Sequence, residues 1–182
     1  MLLTWICLAS CTSDSLLDEQ RGTPLEIQVD VVAYNQDVDD VSTRASVNNG
    51  VITTLAPGDD LGLFVVDKSS GELVANNYRY VVQKTGHGYR VDDTTGKVIS
   101  SDVYYNDNYT YIAYAPYNKD FDGYTSIDAI TTKHKNEIAK TYANQSTQAQ
   151  YNAADLLVCK NPVHQGTTLR LTFSHAMSLL KI

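Results

Sequence analysis

Positively charged residues are scarce in this chain, and the first of them is Arg21. The 182 residues include 14 Lys and Arg against 21 Asp and Glu, which gives a formal net charge of −7 and a pI near 4.9. Nucleic-acid-binding proteins carry clustered basic residues, so this balance argues against a nucleic acid as partner. It favours a well-solvated, exposed surface.

The apolar run at the start of the chain is too short to span a bilayer, which takes about 20 residues. Its length suits the hydrophobic part of a signal peptide. The run ends in LASC at residues 8–11, which resembles a bacterial lipobox, where the cysteine thiol receives a diacylglycerol. We therefore predict a lipoprotein signal peptide over 1–10, lipidation of Cys11 and a tether over 11–24. The alternative is a buried N-terminal strand whose cysteine is incidental.

No basic residue precedes this run, although signal peptides begin with a positively charged region. We therefore expect the true translation start to lie upstream of Met1. A lipoprotein cysteine carries two or three acyl chains, and two or more are enough for stable anchoring.

Cysteines are also few, three in all. Cys7 falls in the predicted signal peptide and Cys11 is the predicted lipidation site, so Cys159 has no partner for a disulfide in the mature chain. We expect Cys159 to be a buried thiol rather than a reactive one.

The pattern of apolar residues favours strands over helices. Leu25, Ile27, Val29 and Val31 alternate with polar residues, which predicts a half-buried strand, and the polar residues 35–44 predict an exposed linker. Further strands are predicted over 61–66, 77–83, 98–105, 109–117 and 169–173. Residues 118–150 are predicted to form one long loop with room for a short helix. Short strands separated by turn signals predict an all-β fold, a β-sandwich.

Catalytic and metal-binding patterns are missing. The four histidines, His87, His134, His164 and His175, have no metal-ligand spacing, and we expect His175 to be a packed, hydrogen-bonded residue. Asn118, Asp120, Asp122 and Gly123 fit the opening of a calcium loop, but Ala129 stands where the bidentate glutamate belongs, so a turn is the better interpretation. We predict no enzyme activity, no metal and no cofactor.

Tyrosine is the one abundant aromatic residue, with thirteen copies against three phenylalanines and one tryptophan. Tyrosines could form a surface for sugars. They are more often divided between core packing and cross-strand pairs.

Five stretches, taken in order, resemble the fimbrillin-like (Mfa-like) proteins of Bacteroidales, which are subunits and accessory proteins of type V pili. These are the lipobox at Cys11, STRA at 42–45, GDDLGLF at 58–64, YTYIAYAPY at 109–117, and the pair DLL at 155–157 with LTFSHAM at 171–177. Members of this family usually continue into a second β-sandwich domain. The resemblance thus leads us to expect that residues 25–182 form the N-terminal domain and that the second domain is missing.

The resemblance implies a transthyretin-like sandwich of antiparallel strands and a lipidated precursor that reaches the outer membrane and the cell surface. It also implies that a protease cuts after Arg44, leaving Ala45 as the new terminus and releasing the first strand, residues 25–34. A strand from another subunit then fills the groove. Arg21 is a second candidate, but a cut there would keep the strand. An arginine in a linker is more usually just solvated.

The sequence therefore predicts a structural or adhesive component of cell-surface fimbriae, with other fimbrial subunits, the outer membrane and host or bacterial surface glycans or proteins as partners. Two alternatives stay open. One is a surface lipoprotein that binds glycans and never polymerises. The other is a fimbrial anchor that keeps both its lipid and its first strand.

Overall fold

Eleven strands and one α-helix make up the part of the chain that the computed structural model describes, which is residues 24–30, 45–48, 52–141 and 154–176. The strands are β1 (Glu26–Val29), β2 (Ala45–Asn48), β3 (Ile52–Leu55), β4 (Asp60–Asp67), β5 (Leu73–Val82), β6 (His87–Arg90), β7 (Tyr109–Ala115), β8 (Leu157–Cys159), β9 (Val163–Gln165), β10 (Thr168–Leu171) and β11 (Ser174–His175). A 3₁₀ turn, Lys119–Phe121, precedes the helix α1 (Ile127–Thr141).

Nine of these strands form one curled sheet in the order β11-β8-β7-β4-β5-β6-β1-β10-β9, and β2 pairs with β3 in a separate hairpin. The all-β prediction is confirmed. The expectation of antiparallel pairing is corrected at one place, because β1 and β10 run parallel. Alternation of apolar and polar residues is the same in either direction, so the sequence pattern carries no information on this point.

The strands in the middle of the sheet are buried on both faces. Along β4, Leu61, Leu63 and Val65 point into an inner core, whereas Phe64 and Val66 point into an outer one. The inner core also takes side chains from β1, β5, β7, β8 and β10, so the sheet curls around it. Alternate side chains of a strand point to opposite faces, which is how one strand supplies two cores.

The outer core is closed by α1 and the 3₁₀ turn. Phe121 and Ile130 are fully buried against the outer face of β4 and β7. The backbone N–H of Ala129 donates to the Ser126 hydroxyl at 3.2 Å, which caps the first turn of the helix. The predicted loop with a short helix is therefore corrected, since α1 has fifteen residues. One of its inward-facing residues is the polar His134, which weakens the apolar periodicity.

The remaining strand predictions are mostly confirmed, with shifted ends. The stretches 61–66, 77–83, 109–117 and 169–173 correspond to β4, β5, β7 and β10. The predicted strand over 98–105 was wrong. The described backbone there forms only two isolated bridges, Val98 with Val91 and Tyr104 with Pro24.

Candidate functional site

The first strand occupies a slot between two others. We call the gap between β6 and β10 that β1 fills the β1 slot. Ile27 lies opposite Gly88 in the antiparallel pairing with β6, and opposite Leu169 in the parallel pairing with β10. The N–H of Val29 donates to the carbonyl of Gly86 at 2.7 Å, and the N–H of Glu26 to that of Thr167 at 3.0 Å. Both walls of the slot therefore bond to the backbone of β1.

The inner face of β1 is completely apolar. Leu25, Ile27 and Val29 are 4%, 0% and 3% exposed and belong to the inner core. Their alternation is the one that the sequence predicted, and the structure places these three side chains together. Val31, the fourth residue of that predicted face, lies outside the described residues.

The outer face of β1 is polar and partly exposed. Oε1 of Glu26 lies 2.6 Å from Nδ1 of His87 on β6, without the alignment of a hydrogen bond. Oε2 of the same carboxylate accepts from the Thr168 hydroxyl on β10 at 3.3 Å. One side chain of β1 thus touches both walls of the slot. Solvent reaches this side chain, which is about half exposed.

Removal of β1 would divide the sheet. Six strands lie on one side of β1, from β11 to β6, and the β9–β10 hairpin lies on the other. Within the described ranges, that hairpin joins the nine-stranded sheet only through β1. The β1 slot is therefore where the sheet is held together by a single short strand.

Of the predicted processing residues, only Ala45 lies within the described ranges. Cys11, Arg21 and Arg44 lie outside them. Ala45 is the first residue of β2 and lies opposite Leu55, a core residue that is 1% exposed. A chain beginning at Ala45 would therefore start directly on a strand of the fold. The domain boundaries at 10, 24 and 182 stay predictions.

A buried polar network, which the sequence did not indicate, holds the middle of the sheet. The Tyr114 hydroxyl donates to Oδ1 of Asn77 at 2.6 Å, and Nδ2 of Asn77 donates to the carbonyl of Asn118 at 2.9 Å and to Asp122 at 2.8 Å. Burial raises the pKa of Tyr114 well above its usual value of 10. We call β4, β5 and β7 with this network the frame.

The segment that begins like a calcium loop serves this frame. Asn118 accepts a hydrogen bond from the N–H of Asp120 at 2.9 Å and so caps the 3₁₀ turn, while Asp122 accepts from Asn77. These contacts are those of a turn, which was the preferred interpretation. Among the described residues no group of His, Cys, Asp and Glu side chains is arranged to hold a metal ion.

The tyrosines are divided between the core and contacts on the sheet. Tyr80 and Tyr114 are buried, and Arg90 and Arg79 lie over the rings of Tyr78 and Tyr117 at 3.5 and 5.5 Å from the ring centres. These faces are therefore covered rather than offered to a sugar. A polar cavity nearby has a volume of about 150 Å³, below the range of about 300–1,000 Å³ of ligand sites.

The two arginines at this cavity are already paired. Arg79 binds Asp60 at 2.8 Å, and Arg90 forms an ion pair with Asp102. A carboxylated ligand would have to displace these partners to reach the arginines, and the small volume gives glycan binding little support.

The remaining nucleophile and base candidates are spread through the fold. Cys159 is 1% exposed, and burial raises the pKa of its thiol, which fits the predicted buried cysteine. His134 bonds the carbonyl of Ala154 at 2.8 Å, and His175 bonds Asp155 at 2.7 Å. His175 is thus hydrogen-bonded as predicted, although it is only partly buried.

Comparison with known proteins gives a family and one solved structure. The model of the fimbrillin-like family matches residues 43–182. A crystal structure of a fimbrial protein from Bacteroides ovatus ATCC 8483 is similar at 21% identity with a TM-score of 0.44, over 85% of this chain and 28% of that one. The chain therefore spans less than a third of that protein's length. No curated protein matches. None of the described helices is long and apolar enough to cross a membrane.

Proposed function

Because the chain belongs to the fimbrillin-like family, we propose that it is a structural or adhesive subunit, or an accessory protein, of cell-surface fimbriae. This family is one of structural pilus proteins, not of enzymes. In this proposal the protein is made as a lipoprotein precursor with lipid on Cys11 at the outer membrane. Cleavage after Arg44 then releases lipid and β1 together, and a strand from another fimbrial subunit fills the β1 slot.

The observation that carries the proposal is the construction of the β1 slot. The strand is four residues long and paired on both sides, and together with the preceding Leu25 it buries three apolar side chains beneath a polar outer face. Strand addition uses these same elements, since main-chain hydrogen bonds supply affinity and pockets for alternate side chains supply specificity.

The burial energy of β1 favours refilling of the slot. Full burial of a Leu, Ile or Val side chain contributes about 1.5–3 kcal/mol, so three such side chains contribute roughly 5–9 kcal/mol. This equals much of the net stability of a whole domain, about 5–15 kcal/mol. A chain that loses β1 is therefore much less stable until another strand fills the slot.

The test is limited digestion of the folded precursor with an arginine-specific protease. We expect a cut after Arg44, loss of the N-terminal segment and oligomerisation, measured by mass spectrometry and light scattering. The matched controls are R44A, which should resist the cut and stay monomeric, and R21A, which should behave like the unaltered chain. Oligomers formed equally well by R44A would contradict the proposal.

Two alternatives give other outcomes in the same experiment. A lipid-retaining anchor would resist cleavage at Arg44, keep β1 and partition into detergent through Cys11, and C11A would abolish that partitioning. A glycan-binding lipoprotein would resist cleavage and bind a glycan array as a monomer. The paired arginines and covered tyrosine rings give the glycan alternative less support than the β1 slot gives strand addition.

A further inference from the structure

One glycine in the wall of the β1 slot faces the centre of the strand that fills it. We propose that Gly88 makes the slot selective for a strand that places a β-branched aliphatic residue, isoleucine or valine, directly opposite it. This inference rests on the strand-exchange function proposed above, and it specifies the chemistry of the incoming strand.

The close approach of Ile27 to Gly88 supports this selectivity. A Cβ atom added to Gly88 would lie 3.1 Å from Cγ2 and 3.3 Å from Cβ of Ile27. Both distances are shorter than an ordinary carbon–carbon contact of about 3.5–4.0 Å. The missing side chain of Gly88 therefore leaves the space that the branch of Ile27 occupies.

Backbone conformation does not explain the glycine. Six glycines among the described residues have a positive φ, where a side chain is strained, but Gly88 is not one of them. It lies within β6, where glycine weakens a strand and often marks a close approach of another group. The group that approaches here is the β-branched carbon of Ile27 and its methyl.

The shape of the occupant follows from this contact. Isoleucine and valine both carry Cγ2, the atom nearest to the added Cβ, whereas leucine branches one carbon further out and alanine has no branch. Alanine would leave a cavity in a region where Ile27 is fully buried, and a cavity costs the lost transfer free energy plus the lost packing. We therefore expect the order Ile, Val, Leu, Ala for stability at this position.

The first experiment uses the intact chain, in which β1 is its own occupant. We expect I27A to lower the folding equilibrium constant about thirtyfold or more in urea denaturation, and G88A to lower it about tenfold or less. In the G88A/I27A double variant the fold-decrease of this constant should be at least fivefold smaller than the product of the two single decreases, because the added methyl fills part of the cavity.

A matched control is Q28A, whose side chain is next on the strand and points to the opposite face. The effects of Q28A and G88A on the folding equilibrium constant should be independent, so that the double variant shows the product of the two. Independent effects of G88A and I27A would overturn the proposal.

The second experiment tests the incoming strand. A labelled peptide with the sequence of residues 25–34 is added to protease-treated chain, together with versions carrying Val, Leu or Ala at the position of Ile27. We expect the Ala peptide to bind at least tenfold more weakly than the Ile peptide, and G88A to reduce that preference to about threefold or less. Equal binding of all four peptides would overturn the selectivity.

The two experiments separate failure of the selectivity from failure of strand exchange. If protease treatment yields no exchange with any peptide, the proposed function fails and so does its use of Gly88 to select a partner. The coupling of Gly88 to Ile27 in the intact chain would then describe packing alone. If exchange occurs without discrimination, the function stands and the selectivity fails.

Discussion

The β1 slot and the frame belong to one sheet but are stabilised differently. In the frame, β4 and β5 have eight and ten residues, and β4 and β7 are buried on both faces beneath α1. In the slot, β1 has four residues, and its outer face carries the partly exposed Glu26 and Gln28. Polar contacts are buried in the frame and open to solvent in the slot.

This difference shows which part of the fold tolerates replacement of a strand. The frame strands join two cores, so exchanging one of them would disturb packing on both faces. Exchange of β1 disturbs one core and two short ladders, all of which an incoming strand can restore. The frame can therefore persist while the slot changes its occupant.

The largest expected effect is at Gly62 in the frame. A Cβ atom added there would collide with the ring of Tyr114, lying 2.5 Å from Cζ, and would lie 2.6 Å from Oδ1 of Asn77. We expect G62A to cost about 3 kcal/mol or more, above most overpacking changes, because ring and network must both move. The measurement is the free energy of unfolding in urea.

The natural control for G62A is G88A. It adds the same methyl in the wall of the slot, at a position where the backbone has an ordinary strand conformation. Its nearest neighbour would be Cγ2 of Ile27 at 3.1 Å, so a smaller loss is expected. A larger loss for G88A than for G62A would contradict the division into a rigid frame and a replaceable strand.

A smaller effect is expected when the frame network loses one hydroxyl. Y114F removes the donor to Asn77 and leaves that buried amide oxygen without the 2.6 Å bond. An unsatisfied buried group costs about 1–3 kcal/mol, so we expect a loss in that range by thermal or urea denaturation.

Tyr117 provides the matched control for Y114F. Its hydroxyl lies 3.4 Å from Asp93 at the exposed surface, and Y117F should change stability by less than about 0.5 kcal/mol. Equal losses for the two variants would show that burial of the network does not determine its contribution.

The inner face of β1 was predictable from the sequence, but the strands that form the walls of its slot were not. The alternation of Leu25, Ile27 and Val29 indicated a half-buried strand because period two has a direct structural meaning. Nothing in that pattern identifies β6 and β10 as neighbours or fixes the parallel direction of β10. Partners so distant in sequence are chosen by packing of the whole sheet.

The frame was predicted as strands but not as a network. The strands β4 and β7 are strongly apolar and were recognised from that. The role of Asn77 had no signal, because a buried asparagine in a strand looks like any other polar residue in a sequence. Its positive φ of 53° is visible only in the structure.

The smallest expected effect is a pH dependence at β9, the strand that pairs with the slot wall β10. His164 on β9 packs against the rings of Tyr105 and Tyr111, at 4.5 and 4.7 Å between ring centres. Its Nδ1 is buried without a hydrogen-bond partner among the described residues. Desolvation, with a smaller contribution from Lys68, lowers the pKa of His164 below its usual 6.5, although the charge of Asp107 opposes this.

The sign of the pH dependence follows from this lowered pKa. Between the folded pKa and 6.5 the unfolded chain binds more protons, so stability is full above pH 6.5 and falls as the pH drops through that interval. The ring is partly exposed, and solvent screening limits the loss to under about 1 kcal/mol. H164F keeps the ring contacts and removes the titration. Lowering the pH from 7.5 to 5 should therefore reduce the free energy of unfolding of the unaltered protein more than that of H164F. A constant difference over that range would contradict the expected pH dependence.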